Sequence, residues 1–138
     1  MADLIITPSL VLASSRASRE QLTAAVSITA GQAIGLNTDG LAVLADADSA
    51  VIIFRGIALN SAAVGQPVIV GSGDNLFAIG ASVTAGEAYA VSSTAGGICP
   101  LDDVISAGKF VQIVGIGLTA GKIQVPRANS VLTSLIPL

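Results

Sequence analysis

The sequence predicts an all-β protein: a small β-barrel or sandwich built from two similar β-units, with an extended N-terminal arm. Three observations carry that expectation. The apolar runs are short and rich in Val and Ile, as at Val51-Ile52-Ile53-Phe54, Val68-Ile69-Val70 and Val111-Gln112-Ile113-Val114, residues that pack well on a pleated surface. Gly, Asn, Asp and Ser interrupt these runs at about 8–12-residue intervals, the spacing of sandwiches and barrels. A turn pattern, Ser/Thr-Ala-Gly, recurs at Thr29-Ala30-Gly31, Thr84-Ala85-Gly86, Thr94-Ala95-Gly96, Ser106-Ala107-Gly108 and Thr119-Ala120-Gly121.

Residues 1–23 form the predicted arm. It opens on Leu4-Ile5-Ile6-Thr7-Pro8-Ser9-Leu10-Val11-Leu12, where Pro8 disfavours both a helix interior and a central strand. The one stretch compatible with a short helix is 15–25, where Ser18 stands three residues before Gln21, a weak capping box. The Ser/Thr-Ala-Gly segments are hairpin or strand-initiating turns. Their last residue takes a left-handed conformation that a Cβ would strain, so glycine is required there.

Residues 24–125 form a duplicated β-domain. Ile28-Thr29-Ala30-Gly31-Gln32-Ala33 matches Val83-Thr84-Ala85-Gly86-Glu87-Ala88 at an offset of 55 residues, and Gly56-Ile57-Ala58-Leu59 matches Gly115-Ile116-Gly117-Leu118 at 59. The change of offset puts about four extra residues within 94–108 of the second half. Two copies are too few for a solenoid, so the units are expected to pack about a pseudo-dyad. Strict alternation along the last long strand puts Phe110, Val114, Ile116 and Leu118 on one face, and Val111 and Ile113 on the other with Gly115 and Gly117. Both faces are then buried. Arg55 interrupts the matching strand and reads as a solvent-facing residue at a sheet edge, with a carboxylate partner across an interface as the alternative.

Residues 126–138 form the C-terminal tail, apolar at Val131-Leu132-Thr133-Ser134-Leu135-Ile136. Free ends are ordinarily polar and loose, so two apolar ends imply docking. An arm that adds a strand to a neighbouring sheet gains main-chain hydrogen bonds with little demand on sequence.

Composition narrows the function. The 138 residues include 23 Ala and 15 Gly, no His, no Trp and one Cys, and 11% are charged, against about 25% in an ordinary domain. So sparse a charge, with a mean hydropathy of +0.82, predicts apolar surface that an assembly covers. A net charge of −3 without clustered Lys or Arg argues against a nucleic-acid partner. Arg55, Asp46, Asp48, Asp74 and Lys109 break every apolar stretch below the length of a membrane span. Met1-Ala2-Asp3 carries an acid where an export signal carries a base.

No catalytic or metal site and no cofactor are predicted. Asp102-Asp103 read as a solvated turn. Asp46-Ala47-Asp48 lack the further oxygen ligands and glycine of a calcium loop. Cys99, between Ile98 and Pro100, has no neighbouring His to activate it and reads as a buried structural thiol. Gly71-Ser72-Gly73 leads into Asp74-Asn75, a turn between strands and not a dinucleotide fingerprint.

The segments Ile28-Thr29-Ala30-Gly31-Gln32-Ala33, an Ala/Asp-rich loop at 44–50, Gly56-Ile57-Ala58-Leu59 and Gly65-Gln66-Pro67-Val68 resemble the small capsid decoration, or cement, proteins of tailed bacteriophages. Val83-Thr84-Ala85-Gly86-Glu87-Ala88-Tyr89 and Ala95-Gly96-Gly97-Ile98 are similar in the same way, and the likeness covers about residues 24–125. The resemblance implies a structural virion protein on the outer surface of the expanded head, bound to the major capsid protein between capsomers. It also implies a homo-oligomer, a homotrimer in preference to a dimer. The ends lie outside the likeness, and their apolar and basic residues are the candidate contacts: Leu4, Ile5, Ile6, Leu10, Val11, Leu12, Arg16, Arg19, Leu132, Leu135 and Ile136. The alternatives are another virion component, such as a fibre base or tail protein, or a small ligand-binding β-module.

Overall fold

The computed structural model describes residues 3–49, 52–105, 109–119, 121–126 and 136–137. Ten strands make two five-stranded sheets. The first sheet contains β1 (Ser18–Thr23), β2 (Ala33–Leu36), β3 (Ala42–Leu44), β4 (Ile53–Ala58) and β5 (Pro67–Ser72). The second contains β6 (Asp74–Ala78), β7 (Ala88–Val91), β8 (Ile98–Pro100), β10 (Ile113–Gly117) and β11 (Lys122–Val125). Two short strands, β9 (Phe110–Val111) and β12 (Ile136–Pro137), pair beside them. Both large sheets are antiparallel and open, so the molecule is a sandwich and not a closed barrel. Among the described residues there is no α-helix. The stretch at 18–23 is strand β1, because pairing all six residues to β5 outweighs a weak capping signal.

The duplication is written in the topology. The strand orders β1-β5-β4-β2-β3 and β6-β11-β10-β7-β8 are the same path run twice. The pairing agrees residue by residue: Ala33↔Ile57 and Ile34↔Gly56 in the first unit match Ala88↔Ile116 and Tyr89↔Gly115 in the second. The repeat therefore begins at Ser18, inside the segment read from sequence as an arm. Of the extra residues in the second unit, one lies in the β7–β8 hairpin and three lie between β8 and β10.

Four of the five Ser/Thr-Ala-Gly turns have both their threonine and their glycine among the described residues, and each of these glycines is at positive φ: Gly31 at 95°, Gly86 at 85°, Gly96 at 81° and Gly121 at 72°. In each, the threonine carbonyl accepts from the N–H three residues on, as from Gln32 to Thr29 at 3.2 Å and from Gly97 to Thr94 at 2.8 Å. The fifth, at 106–108, lies outside the described residues. Ala63-Val64-Gly65-Gln66 makes the same turn without the sequence pattern, with Gly65 at φ 85° and Gln66 N–H donating to Ala63.

Both units carry a β-bulge at the same place. Arg55 is the unpaired residue between Phe54 and Gly56 of β4, and Val114 is its counterpart between Ile113 and Gly115 of β10. A bulge inserts one residue and reverses which face the later side chains take. This overturns the strict alternation expected along the last long strand. Val114 is fully buried while Ile116, two residues on, is 39% exposed.

The units stack in the same sense and not about a pseudo-dyad. One face of the first sheet, carrying Ala33, Phe54 and Ile57, shares a buried cluster with Phe77, Tyr89, Val114, Ile123 and Val125 of the second. Gly71, directly opposite Ile57 on β5, lies under the Phe77 ring. A Cβ at Gly71 would come 3.1 Å from that ring. About a dyad, equivalent residues would share the contact, yet Ile57 is fully buried and its equivalent Ile116 is not. The other face of the first sheet closes on its own loops, where Ile34, Ala58, Val68 and Val70 pack with Ala24, Ile28 and Ala62.

Polar groups also join the units. The side-chain amide of Gln112, fully buried, accepts from Phe54 N–H at 2.5 Å and donates to the Ile52 carbonyl at 3.1 Å. The loop after β3 continues the seam: Gly96 N–H donates to Ala45, Ala47 N–H to Ser92, and Phe110 N–H to Ala47.

Candidate interaction surface

The N-terminal segment crosses the second unit in extended form. Leu4 N–H donates to Ile98, Thr7 N–H to Gly80, and Leu12 exchanges both backbone bonds with Ala78. Pro8 opens the 3-10 turn Pro8–Leu10 at a position where its missing N–H costs nothing. An extended chain sends alternate side chains to opposite sides. Leu4, Ile6 and Val11 accordingly pack against the main core, while Ile5, Leu10 and Leu12 face outward at 89%, 62% and 69% exposure.

A buried carboxylate ends this segment. Asp74, 1% exposed, accepts from Ser14 N–H at 2.7 Å, from Ser14 Oγ at 2.6 Å and from Leu76 N–H at 2.9 Å. Burial alone would raise its pKa. The bonds from Ser14 and Leu76, with the nearby charge of Arg19, outweigh burial and hold the carboxyl below its ordinary range. Because the folded value is depressed, the stabilisation is present above the unfolded carboxylate value and is lost as pH falls through the folded one. Asp74→Asn is expected to cost about 2 kcal/mol at neutral pH. In urea melts from pH 7 to pH 3, the gap to the unsubstituted chain should narrow below about pH 4; a gap independent of pH would contradict this role.

The two arginines of the segment differ in their partners. Arg16 is exposed, and its N–H donates to Ser14 Oγ at 3.3 Å. Arg19 turns back on the segment, its guanidinium donating to the carbonyls of Ala13, Ser14 and Ala17. At the C-terminus, Ile136 pairs through its backbone with Val111, and Leu132 and Leu135 lie outside the described residues. The structure therefore places Ile5, Leu10, Leu12 and Arg16 on one outward-facing segment, and turns Leu4, Ile6 and Val11 inward.

Arg55 is neither at a sheet edge nor free. β4 is the middle strand of its sheet, and the guanidinium makes two 2.8 Å bonds to Glu20 on β1. That hydrogen bonding outweighs partial burial and, with the charge of Arg55, lowers the Glu20 pKa. Sequence reasoning missed the pair because its members are 35 residues apart and meet only through β5.

Asp46, Asp48, Lys109 and Cys99 have places in the fold. Asp46 accepts from Asp48 N–H at 2.9 Å, closing a turn, and Asp48 pairs with Lys109. Cys99 is 1% exposed on β8. Burial, then the charges of Asp103 and Asp3, push its thiol up to about 11, so the nucleophilic thiolate is scarce at neutral pH. Among the described residues no three His, Cys, Asp or Glu come together as a metal site, and no helix is long and apolar enough to cross a membrane. No family model matches this chain, and no curated protein matches it.

Proposed function

We propose that this protein is a structural virion protein of a tailed phage, binding the outer surface of the expanded head between capsomers and stabilising it. Its partners in this reading are the major capsid protein and further copies of itself, a homotrimer in preference to a dimer. One observation carries the reading: Ile5, Leu10 and Leu12 are presented outward by a segment that backbone bonds and the Asp74–Ser14 contact hold in place. Large aliphatic side chains held rigidly in water mark a surface that a partner covers. Small contacts of this kind, repeated over a lattice, give strong attachment without a tight single site. The low charge and the resemblance of the turns support the same reading.

The test is attachment. The purified chain, added to expanded heads of the phage that encodes it, should co-sediment with them to saturation and raise their melting temperature. Binding to tails instead of heads, or to neither, would overturn the proposal. Deleting residues 1–20 is a poor test, since it removes Leu4, Ile6 and Val11 from the core and half of β1. Substituting the outward residues tests the same surface in a folded chain.

A further inference from the structure

The duplicated unit shows its own mode of association. Each sheet has a seating face and a receiving face. The seating face of the first unit carries Phe54, Ile57 and Gly71, and it rests on the receiving face of the second, where Phe77 and Val114 stand. The register gives the equivalent residues. Ile57 and Gly71 of the first unit correspond to Ile116 and Gln124 of the second. Phe77 and Val114 of the second correspond to Glu20 and Arg55 of the first. The Ile116–Gln124 part of one seating face and the Glu20–Arg55 part of one receiving face therefore remain open within the chain, while the rest of that receiving face, at Ile34, Val68 and Val70, is closed by the first unit's own loops. Ile116 is 39% exposed and Gln124 is exposed beside it. The side chains of Glu20 and Arg55 are 40% and 33% exposed.

We infer that a second copy of this chain occupies these faces, the Ile116–Gln124 face of one copy seating on the Glu20–Arg55 face of the next. The substitutions between units are matched across the contact. Inside the chain, glycine lies under an aromatic ring, an apolar pair. Between copies, a glutamine amide would meet a carboxylate, a polar pair. Gln124 uses one N–H on Asn75 at 3.3 Å, and an amide has a second donor. Ile116 would cover the aliphatic stem of Arg55 as Ile57 covers the second unit's core. Such a contact is heterologous: it uses two different surfaces and generates a closed ring or an open fibre. It does not rest on the capsid reading, because it concerns the isolated chain.

The experiment uses the full-length chain in the absence of heads. At about 100 µM the unsubstituted protein should sediment as an oligomer, while Ile116→Lys and Glu20→Lys each weaken association at least about tenfold. An equimolar mixture of the two variants should form dimers and stop there, because each supplies the face the other lacks. A monomeric unsubstituted protein, or a mixture that stays monomeric, overturns the inference; so does either variant that still assembles alone. Should Glu20→Lys fail to fold by circular dichroism, a chain carrying Gln124→Cys and Glu20→Cys decides. Mild oxidation should link successive copies through these two positions, and the absence of such links refutes the contact.

Discussion

Phe77→Ala is expected to cost about 4 kcal/mol, the upper range for removing a buried aromatic ring and a large share of the roughly 5–15 kcal/mol that holds a domain folded. The reason lies in the stack. Phe77 is fully buried, and its ring lies over Gly71 of the other unit, which has no side chain of its own to fill the space. Val114, Ile123 and Ile57 sit in the same cluster on strands fixed by pairing, so the cavity collapses little. The same substitution at the equivalent position, Glu20→Ala, removes a half-exposed ion pair, which is worth at most about 1 kcal/mol. Urea midpoints of the two variants check this directly: comparable losses would mean that the two units do not stack as described.

The second large effect concerns attachment. Ile5→Asp, Leu10→Asp and Leu12→Asp together should weaken binding to expanded heads by about 100-fold, as loss of a central apolar anchor does at other interfaces. Because all three side chains already face water, each change should alter stability by no more than about 0.5 kcal/mol. Equilibrium co-sedimentation gives the first number and a urea melt gives the second. Leu4→Asp and Ile6→Asp should behave in the opposite way, unfolding the chain in preference to sparing it. A triple variant that saturates heads at the unsubstituted concentration would remove this segment from the proposed interface.

The features legible in the sequence are those that local chemistry fixes. The Ser/Thr-Ala-Gly turns announced four glycines at positive φ, and their spacing exposed the duplication and the all-β class. What stayed hidden depends on contacts across the ladder. The bulge at Val114 puts Ile113 and Ile116 on one face, where strict alternation would separate them, and nothing in Ile113-Val114-Gly115-Ile116 marks which residue goes unpaired. Strand β1 was taken for an arm because Ser18–Thr23 shares almost no residue types with Asp74–Ala78, although both occupy the same place in their sheets. The Glu20–Arg55 pair and the Asp74–Ser14 contact join residues 35 and 60 positions apart. Within the outward segment, by contrast, the alternation that separates Leu4 and Ile6 from Ile5 was present in the sequence. The apolar candidates could have been divided had the segment been read as a strand packed on one side.

Gln112 carries a consequence for how the molecule comes apart. Its amide is sealed from water and ties the start of β4 to the link between β9 and β10. Opening either half would strand a buried donor and acceptor in a dry interior, a penalty that falls on both halves together. The two copies of an ancestral module have thereby become a single cooperative body, one whose backbone amides at Phe54 and Val91 should exchange with solvent only when the entire chain melts.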